Sequence, residues 1–157
     1  MEFDVERHER ITAPIHLVWD EVSSLEQILA KSPQAFTYDI VPGGQRATAK
    51  GKLAWGPVKW TVDVDASIED RRPPEYVRYA VEIPSLELRY EGSVELSMVG
   101  ESETRLDYRG HMDVRHRMVG RMRGMFTELA EEHMVGIVSR VKVKSEQRRL
   151  AQERLLQ

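Results

Sequence analysis

The sequence predicts an α+β fold in which a curved antiparallel sheet of about seven strands wraps around one long C-terminal helix. Before residue 115 most segments alternate apolar and polar residues with a period of two, which is typical of half-buried strands. From Arg117 to about Val143 the apolar residues instead recur at helical spacing. The apolar faces of such a helix and such a sheet must cover one another, and a cavity often lies between them.

The chain opens with a strand and two short helices. The strand is predicted over residues 3–11, where apolar and polar residues alternate imperfectly. A helix follows, with Thr12 as its cap and Pro14 in its first turn. Ser24 is expected to cap a second helix that ends near Lys31.

Six further strands are predicted from the period-two pattern. They cover residues 36–40, 47–55, 58–68, 76–83, 86–98 and 104–114. Glycine and proline separate several of them, as turn residues do. One helix-grip domain is therefore expected over residues 1–143. Residues 144–157 are expected to form a charged helical tail, because their apolar periodicity weakens.

Composition limits the possible functions. The 157 residues contain no cysteine, which excludes disulfides and thiolate chemistry. No apolar leader or long apolar stretch is present, so we expect a soluble, cytoplasmic protein. Zinc-helix spacing of histidines, the Gly-x-Ser-x-Gly motif and phosphate-binding glycine patterns are also missing. The sequence therefore predicts neither a metal nor a cofactor.

Charge is distributed unevenly along the chain. Residues 1–108 carry 12 basic and 20 acidic side chains, a net charge of −8, whereas residues 109–157 carry 11 and 6, a net charge of +5. The halves either form two differently solvated faces or include a basic surface that contacts anionic lipid headgroups or an acidic protein complex. This basic surface would comprise Arg115, Arg117, Arg121, Arg123, Arg140, Lys142 and Lys144. Nucleic acid is not expected, because the chain is acidic overall and the basic residues lack interleaved aromatics.

The apolar face of the long helix contains methionines and one histidine. Five of the seven methionines lie between Met112 and Met134, where they either fill the core or line an adaptable cavity wall. His133 lies near the centre of this face, and a buried imidazole needs hydrogen-bond partners. That partner is either a tyrosine such as Tyr90 or Tyr108, or a carbonyl or hydroxyl group of a ligand.

Three short motifs resemble a known superfamily. Ile11-Thr12-Ala13-Pro14 followed by Val18-Trp19 resembles the opening of the START-like (SRPBCC) superfamily, which includes polyketide cyclases, aromatases and lipid carriers. Ala49–Leu53 leading into Gly56–Lys59, and then Glu69–Pro74, is similar to the G-type subunits of carbon monoxide dehydrogenase. The segment from Met112 to Met118 departs from those proteins, which tend to be rich in glycine and alanine there.

The superfamily resemblance implies the birch-pollen-allergen-like helix-grip fold and a hydrophobic ligand held between helix and sheet. We expect the protein to bind a lipid, quinone-like or polyketide-like molecule as a carrier or presenter. The expected cavity lining is Trp60, Val62, Tyr79, Leu88, Tyr90, Leu106, Tyr108, Met122, Met125, Phe126, Leu129 and His133. One alternative is a cyclase or aromatase that uses Arg7, Glu9, the tyrosines and His133 as acid/base groups. Another is an accessory protein that docks through its basic C-terminal half.

Overall fold

The chain forms one seven-stranded antiparallel sheet with three helices, as predicted. The computed structural model describes residues 1–32, 36–55, 57–117 and 120–156. The strands are β1 (Glu2–Ile11), β2 (Phe36–Ile40), β3 (Arg46–Trp55), β4 (Val58–Arg72), β5 (Tyr76–Ile83), β6 (Leu88–Gly100) and β7 (Glu103–Val114). The helices are α1 (Ile15–Val22), α2 (Leu25–Ala30) and α3 (Arg123–Leu155), and Pro84–Leu86 forms a short 3-10 turn.

The sheet order is β1-β7-β6-β5-β4-β3-β2, so the first and last strands of the chain are neighbours. The two N-terminal helices carry the chain from β1 across to the opposite edge, and each later strand pairs with the preceding one. Side chains alternate in burial along β7, which confirms the period-two interpretation. The inner faces of the strands and the apolar face of α3 form one core.

Helix α3 differs from its prediction at both ends. It begins at Arg123 rather than Arg117, and residues 118–119 lie outside the described part of the chain. Gly120, which costs a helix about 1 kcal/mol relative to alanine, falls in the turn before it. The helix then continues unbroken to Leu155, because the residues after Val143 are mostly good helix formers.

The predicted helix caps fared differently. Ser24 caps α2 as expected, since its hydroxyl accepts a hydrogen bond from the backbone N–H of Gln27 at 3.2 Å. Thr12 does not cap α1, which starts after Pro14 without a side-chain cap. Instead, the Thr12 backbone N–H donates to Glu146 of α3 at 2.9 Å. The end predicted for α2 at Ser32-Pro33 and the turn at Gly56-Pro57 include residues outside the described part of the chain.

Candidate functional site

A cavity of about 70 Å³ lies between α2, α3 and the inner face of the sheet. Its wall is almost entirely apolar. It is lined by Leu29, Ser32, Phe36, Ala49, Leu53, Val64, Val81, Ile83, Leu88, Tyr90, Met112, Leu129, Ala130 and His133. Apolar walls with a few placed polar groups are typical of small-molecule sites.

The predicted lining residues divide between three places. Leu88, Tyr90, Leu129 and His133 line this cavity. Trp60, Val62, Met122 and Phe126 line a separate depression of about 250 Å³ near His116. Leu106 and Met125 are buried in the core, while Tyr79 and Tyr108 lie fully buried beneath the cavity wall. The helix-grip pattern thus placed all twelve on the inner faces, but it did not locate the cavity along them.

The lining residues that sequence reasoning missed come mainly from α2 and strands β2 to β5. Phe36, Ala49 and Leu53 belong to β2 and β3, and Leu29 belongs to α2. Ala49 and Ala130 face this space with short side chains, so they leave room that larger residues would fill. Period-two alternation identified Ala49 as inward-facing, but nothing in the pattern says which inward residues fail to reach one another.

Four polar side chains are joined by hydrogen bonds under the cavity. The hydroxyl oxygen of Tyr108 lies 2.5 Å from that of Tyr90 and 2.6 Å from that of Tyr79. The Tyr79 hydroxyl lies 3.0 Å from Nε2 of His133, and the Tyr90 ring packs edge-on against the imidazole. A tyrosine therefore does satisfy His133, but it is Tyr79 rather than Tyr90 or Tyr108. We call these four residues the tyrosine–histidine chain.

Two glycines make room for the tyrosine–histidine chain. Gly92 and Gly110 face each other across β6 and β7. A Cβ atom at Gly92 would lie 2.5 Å from the Tyr79 ring, and one at Gly110 would overlap the Tyr90 hydroxyl. The rings of Tyr79 and Tyr90 can therefore lie over the sheet only because these positions lack side chains. The repeated Tyr-x-Gly spacing in β6 and β7 was the sequence signal for this arrangement.

Burial keeps every member of the tyrosine–histidine chain neutral. It raises the pKa of Tyr79 and of Tyr108 well above the ordinary value for a phenol, and it also raises the pKa of Tyr90. Burial lowers the pKa of His133 to about 4. The site at neutral pH is therefore a set of uncharged donors and acceptors, and the imidazole is a weak base.

The lowered pKa of His133 predicts acid sensitivity. The unfolded chain binds a proton at His133 near pH 6.5 and the folded chain only near pH 4, so stability falls as the pH drops through this window. We expect a loss of roughly 2 kcal/mol, less than the full shift implies because the ring is half-buried. Urea unfolding of the wild type and of His133→Gln between pH 7 and pH 4 measures this loss. A difference between the two that stays constant with pH would contradict the assignment.

Arg7 and Glu9, the polar residues on the apolar side of β1, do not line the cavity. They pair with each other at 3.6 Å, and Glu9 also accepts a hydrogen bond from Lys142 of α3 at 3.1 Å. This pair lies where the sheet margin contacts the helix. The acid/base grouping of Arg7 and Glu9 with His133 is therefore not assembled at the cavity.

A buried ion pair holds α2 beside the cavity. The Lys31 ammonium is 0% exposed and lies 2.8 Å from Oε2 of Glu21, and it also donates to the side chain of Gln27 at 3.0 Å. Arg148 of α3 contacts Glu21 at 3.3 Å, and Arg140 donates to the Lys31 carbonyl at 2.6 Å. Burial lowers the pKa of Lys31. It works to raise that of Glu21, but the bond to Lys31 and the nearby positive charges leave the Glu21 pKa lowered. We call Glu21, Lys31, Arg140 and Arg148 the helix anchor.

Metal coordination and membrane insertion find no support in the described part of the chain. No three histidine or acidic side chains among its residues are grouped so that they could hold a metal ion. No helix within it is long and apolar enough to cross a membrane.

An antiparallel sheet gripping a long C-terminal helix, with an apolar cavity between them, defines a helix-grip protein. The chain belongs to the family described as polyketide cyclase / dehydrase and lipid transport, whose model matches residues 2–146. This confirms the START-like resemblance at the level of the family. A comparison with curated proteins finds no match.

Solved structures share the fold at low sequence identity. The ZhuI aromatase/cyclase from Streptomyces sp. R1128 is 15% identical, with a TM-score of 0.71 over 94% of this chain and 96% of its own. A START superfamily protein from Mycobacterium smegmatis is 12% identical, with a TM-score of 0.67 over 92% of this chain and 97% of its own. Norcoclaurine synthase from Thalictrum flavum, in complex with dopamine and hydroxybenzaldehyde, is 13% identical, with a TM-score of 0.61 over 92% of this chain and 88% of its own.

Proposed function

We propose that this protein binds a hydrophobic or aromatic small molecule in the cavity between α2, α3 and the sheet, and carries or presents it in the cytoplasm without covalent chemistry. The observation that carries the proposal is the apolar cavity with the neutral His133 in its wall. Burial of apolar ligand surface, at roughly 25 cal/mol per Å², supplies the main driving force. The imidazole supplies orientation.

The cavity must widen to hold such a ligand. Its volume of about 70 Å³ is well below the roughly 300 Å³ at which ligand pockets begin. On one side it is bounded by the central sheet, and on the other by α2, Phe36 and the first turns of α3. The six-residue helix α2 is the shorter of the two helices, so we expect it to move outward when a ligand enters.

The ligand class is supported by the family and by its relatives. The family description names both polyketide cyclisation and lipid transport. One similar structure holds dopamine and hydroxybenzaldehyde, which are small aromatic molecules. We favour a molecule built on rings or short chains over a long lipid, because the wall contributes mostly compact side chains such as Ala49, Val64 and Ala130.

A cyclase or aromatase is the second candidate. It is favoured by the likeness to the ZhuI aromatase/cyclase, while the polar lining groups Ser32, Tyr90 and His133 are uncharged at neutral pH. Aldol ring closure needs a base that removes a proton from carbon, and an imidazole with a pKa of about 4 is poorly matched to that task. This mismatch is why we place binding first.

Replacing His133 by alanine separates the two candidates. For a carrier, affinity changes and no turnover is lost. For an enzyme, turnover of a polyketide substrate falls while affinity changes little. Ligand binding by fluorescence titration and product analysis by chromatography measure the two quantities on the same preparation.

Native mass spectrometry of the freshly purified protein tests the proposal directly. A bound mass that solvent extraction identifies as a lipid, quinone or aromatic compound would support it and name the cargo class. A protein that carries no bound mass and takes up no hydrophobic probe would overturn it.

Filling the cavity should abolish binding while the fold survives. Ala49 of β3 points into the cavity, whereas Ala54 of the same strand is exposed. We expect Ala49→Leu to weaken binding of a hydrophobic dye at least tenfold, because the added methyl groups occupy the ligand's space. Ala54→Leu adds the same group on the outer side and should leave affinity unchanged. Equal affinities for the two variants, both folded by circular dichroism, would place the ligand elsewhere.

Docking on a membrane or a larger complex is a compatible third role. Arg117, Arg121 and Arg123 are exposed, and no acidic partner contacts them within the described residues. The resemblance of Ala49–Leu53 and Glu69–Pro74 to the G-type subunits of carbon monoxide dehydrogenase supports docking on a complex. Flotation with anionic vesicles and pull-down with a carbon monoxide dehydrogenase distinguish these partners.

A further inference from the structure

The tyrosine–histidine chain contains four exchangeable protons and three hydrogen bonds. Each of Tyr79, Tyr90 and Tyr108 brings one hydroxyl proton, and the neutral imidazole of His133 brings one N–H. Three protons fill the bonds, and one is left over. Where that fourth proton lies decides what His133 offers to a ligand.

The end of the chain at Tyr90 fixes its direction. The Tyr90 side chain is 3% exposed, and within the described residues its hydroxyl is hydrogen-bonded to Tyr108. If Tyr108 donated to Tyr90, the Tyr90 proton would be buried without an acceptor, which proteins avoid because it costs the full desolvation penalty. The Tyr90 hydroxyl therefore donates to Tyr108.

The remaining bonds follow in sequence. Tyr108 is fully buried and accepts from Tyr90, so its own proton goes to the Tyr79 oxygen 2.6 Å away. Tyr79 is also fully buried and accepts from Tyr108, so its proton goes to Nε2 of His133. Only this direction uses all three hydroxyl protons. Nε2 is then an acceptor, and the imidazole proton must lie on Nδ1.

Nδ1 is open to the cavity. Among the described residues no side chain or backbone group forms a hydrogen bond with it, and it is not one of their buried unpaired polar atoms. It is therefore accessible, and the accessible space beside the His133 ring includes the cavity that this residue lines. The neutral state of His133 holds across the physiological range, since its pKa is about 4.

We propose that the tyrosine–histidine chain locks His133 in the Nδ1–H tautomer, so that the cavity presents one N–H donor and selects apolar ligands bearing a hydrogen-bond acceptor such as a ketone, aldehyde or quinone oxygen. This inference rests on the proposed function and names the polar group of its ligand. An apolar ligand without an acceptor would cover the N–H and leave it unsatisfied. His133 is thus a specificity-determining residue, and Tyr79 positions its proton.

The tautomer can be measured without any ligand. Long-range proton–nitrogen NMR of the protein labelled at histidine shows which ring nitrogen of His133 carries the proton at pH 7. We expect Nδ1–H. The finding of Nε2–H would overturn the inference and leave the proposed function standing.

Ligand selection is tested with acetophenone and ethylbenzene, which differ in one carbonyl group on nearly the same shape. We expect acetophenone to bind about tenfold more tightly. Equal affinities would overturn the inference but not the binding proposal. If neither compound nor a hydrophobic dye bound, the proposed function would fail, and this inference with it.

Two variants separate the tyrosine–histidine chain from general packing. Tyr79→Phe removes the hydroxyl that donates to Nε2, so the preference for acetophenone should fall toward that for ethylbenzene and the tautomer should become mixed. Tyr38→Phe removes a hydroxyl from an exposed tyrosine of β2 and should change neither readout. A preference that survives in folded Tyr79→Phe would show that this residue does not position the His133 proton.

Discussion

Lys31→Ala is expected to lower the free energy of unfolding by about 4 kcal/mol, since it leaves a buried charge without its main partner. Glu21 is 6% exposed, and in this variant it keeps only the longer contact to Arg148 at 3.3 Å. Urea unfolding at pH 7 measures the loss. Lys50→Ala removes a lysine from an exposed pair with Asp63 at 3.9 Å, and there we expect little change.

The double variant Glu21→Leu with Lys31→Met refines this prediction. Replacing both members of a buried ion pair by apolar residues is often neutral, so most of the stability should return. A double variant as unstable as Lys31→Ala would mean that Lys31 acts through its bonds to Gln27 rather than through charge pairing. Because the helix anchor holds α2 beside the cavity, dye affinity should be followed in the same variants.

Gly110→Val is expected to destabilise the fold by about 4 kcal/mol and to break the tyrosine–histidine chain. The new side chain would overlap the Tyr90 hydroxyl, and both overpacking and the loss of a buried hydrogen bond carry costs of about 1–3 kcal/mol each. Thermal unfolding measures the first effect. The NMR signals of His133 measure the second.

Gly100→Val provides the matched control. Gly100 ends β6, and a Cβ atom there would meet nothing within 4 Å. The same substitution should therefore leave stability and the His133 signals nearly unchanged. Similar losses in the two variants would mean that glycine is needed for its backbone freedom rather than for the space over Gly110.

The fold followed from the sequence because its two periodicities are long and separate. Alternation from Val58 to Ile68 and the helical spacing from Met125 to Ile137 left one arrangement that buries both faces. Helix ends were less predictable. The start of α3 depends on local turns near Gly120, and its continuation past Val143 is supported by contacts such as that between Arg148 and Asp20, which no periodicity reveals.

The site followed only in part, because a cavity is defined by what fails to pack. His133 stood out as a polar residue on an apolar face, and the structure places it in the wall. Its partner Tyr79 could not be told from Tyr90 or Tyr108, since all three face inward on neighbouring strands. The choice depends on which rings lie over Gly92 and Gly110, and that requires strand register.

The two facing glycines also define a signature for sorting relatives by binding chemistry. Tyr90-x-Gly92 and Tyr108-x-Gly110 lie on paired strands, and the rings of Tyr79 and Tyr90 over the sheet each depend on a position without a side chain. A relative that keeps both Tyr-x-Gly pairs together with the counterparts of Tyr79 and His133 should share the imidazole donor. A relative with a larger residue at either glycine should have the same fold but a different polar group in its cavity.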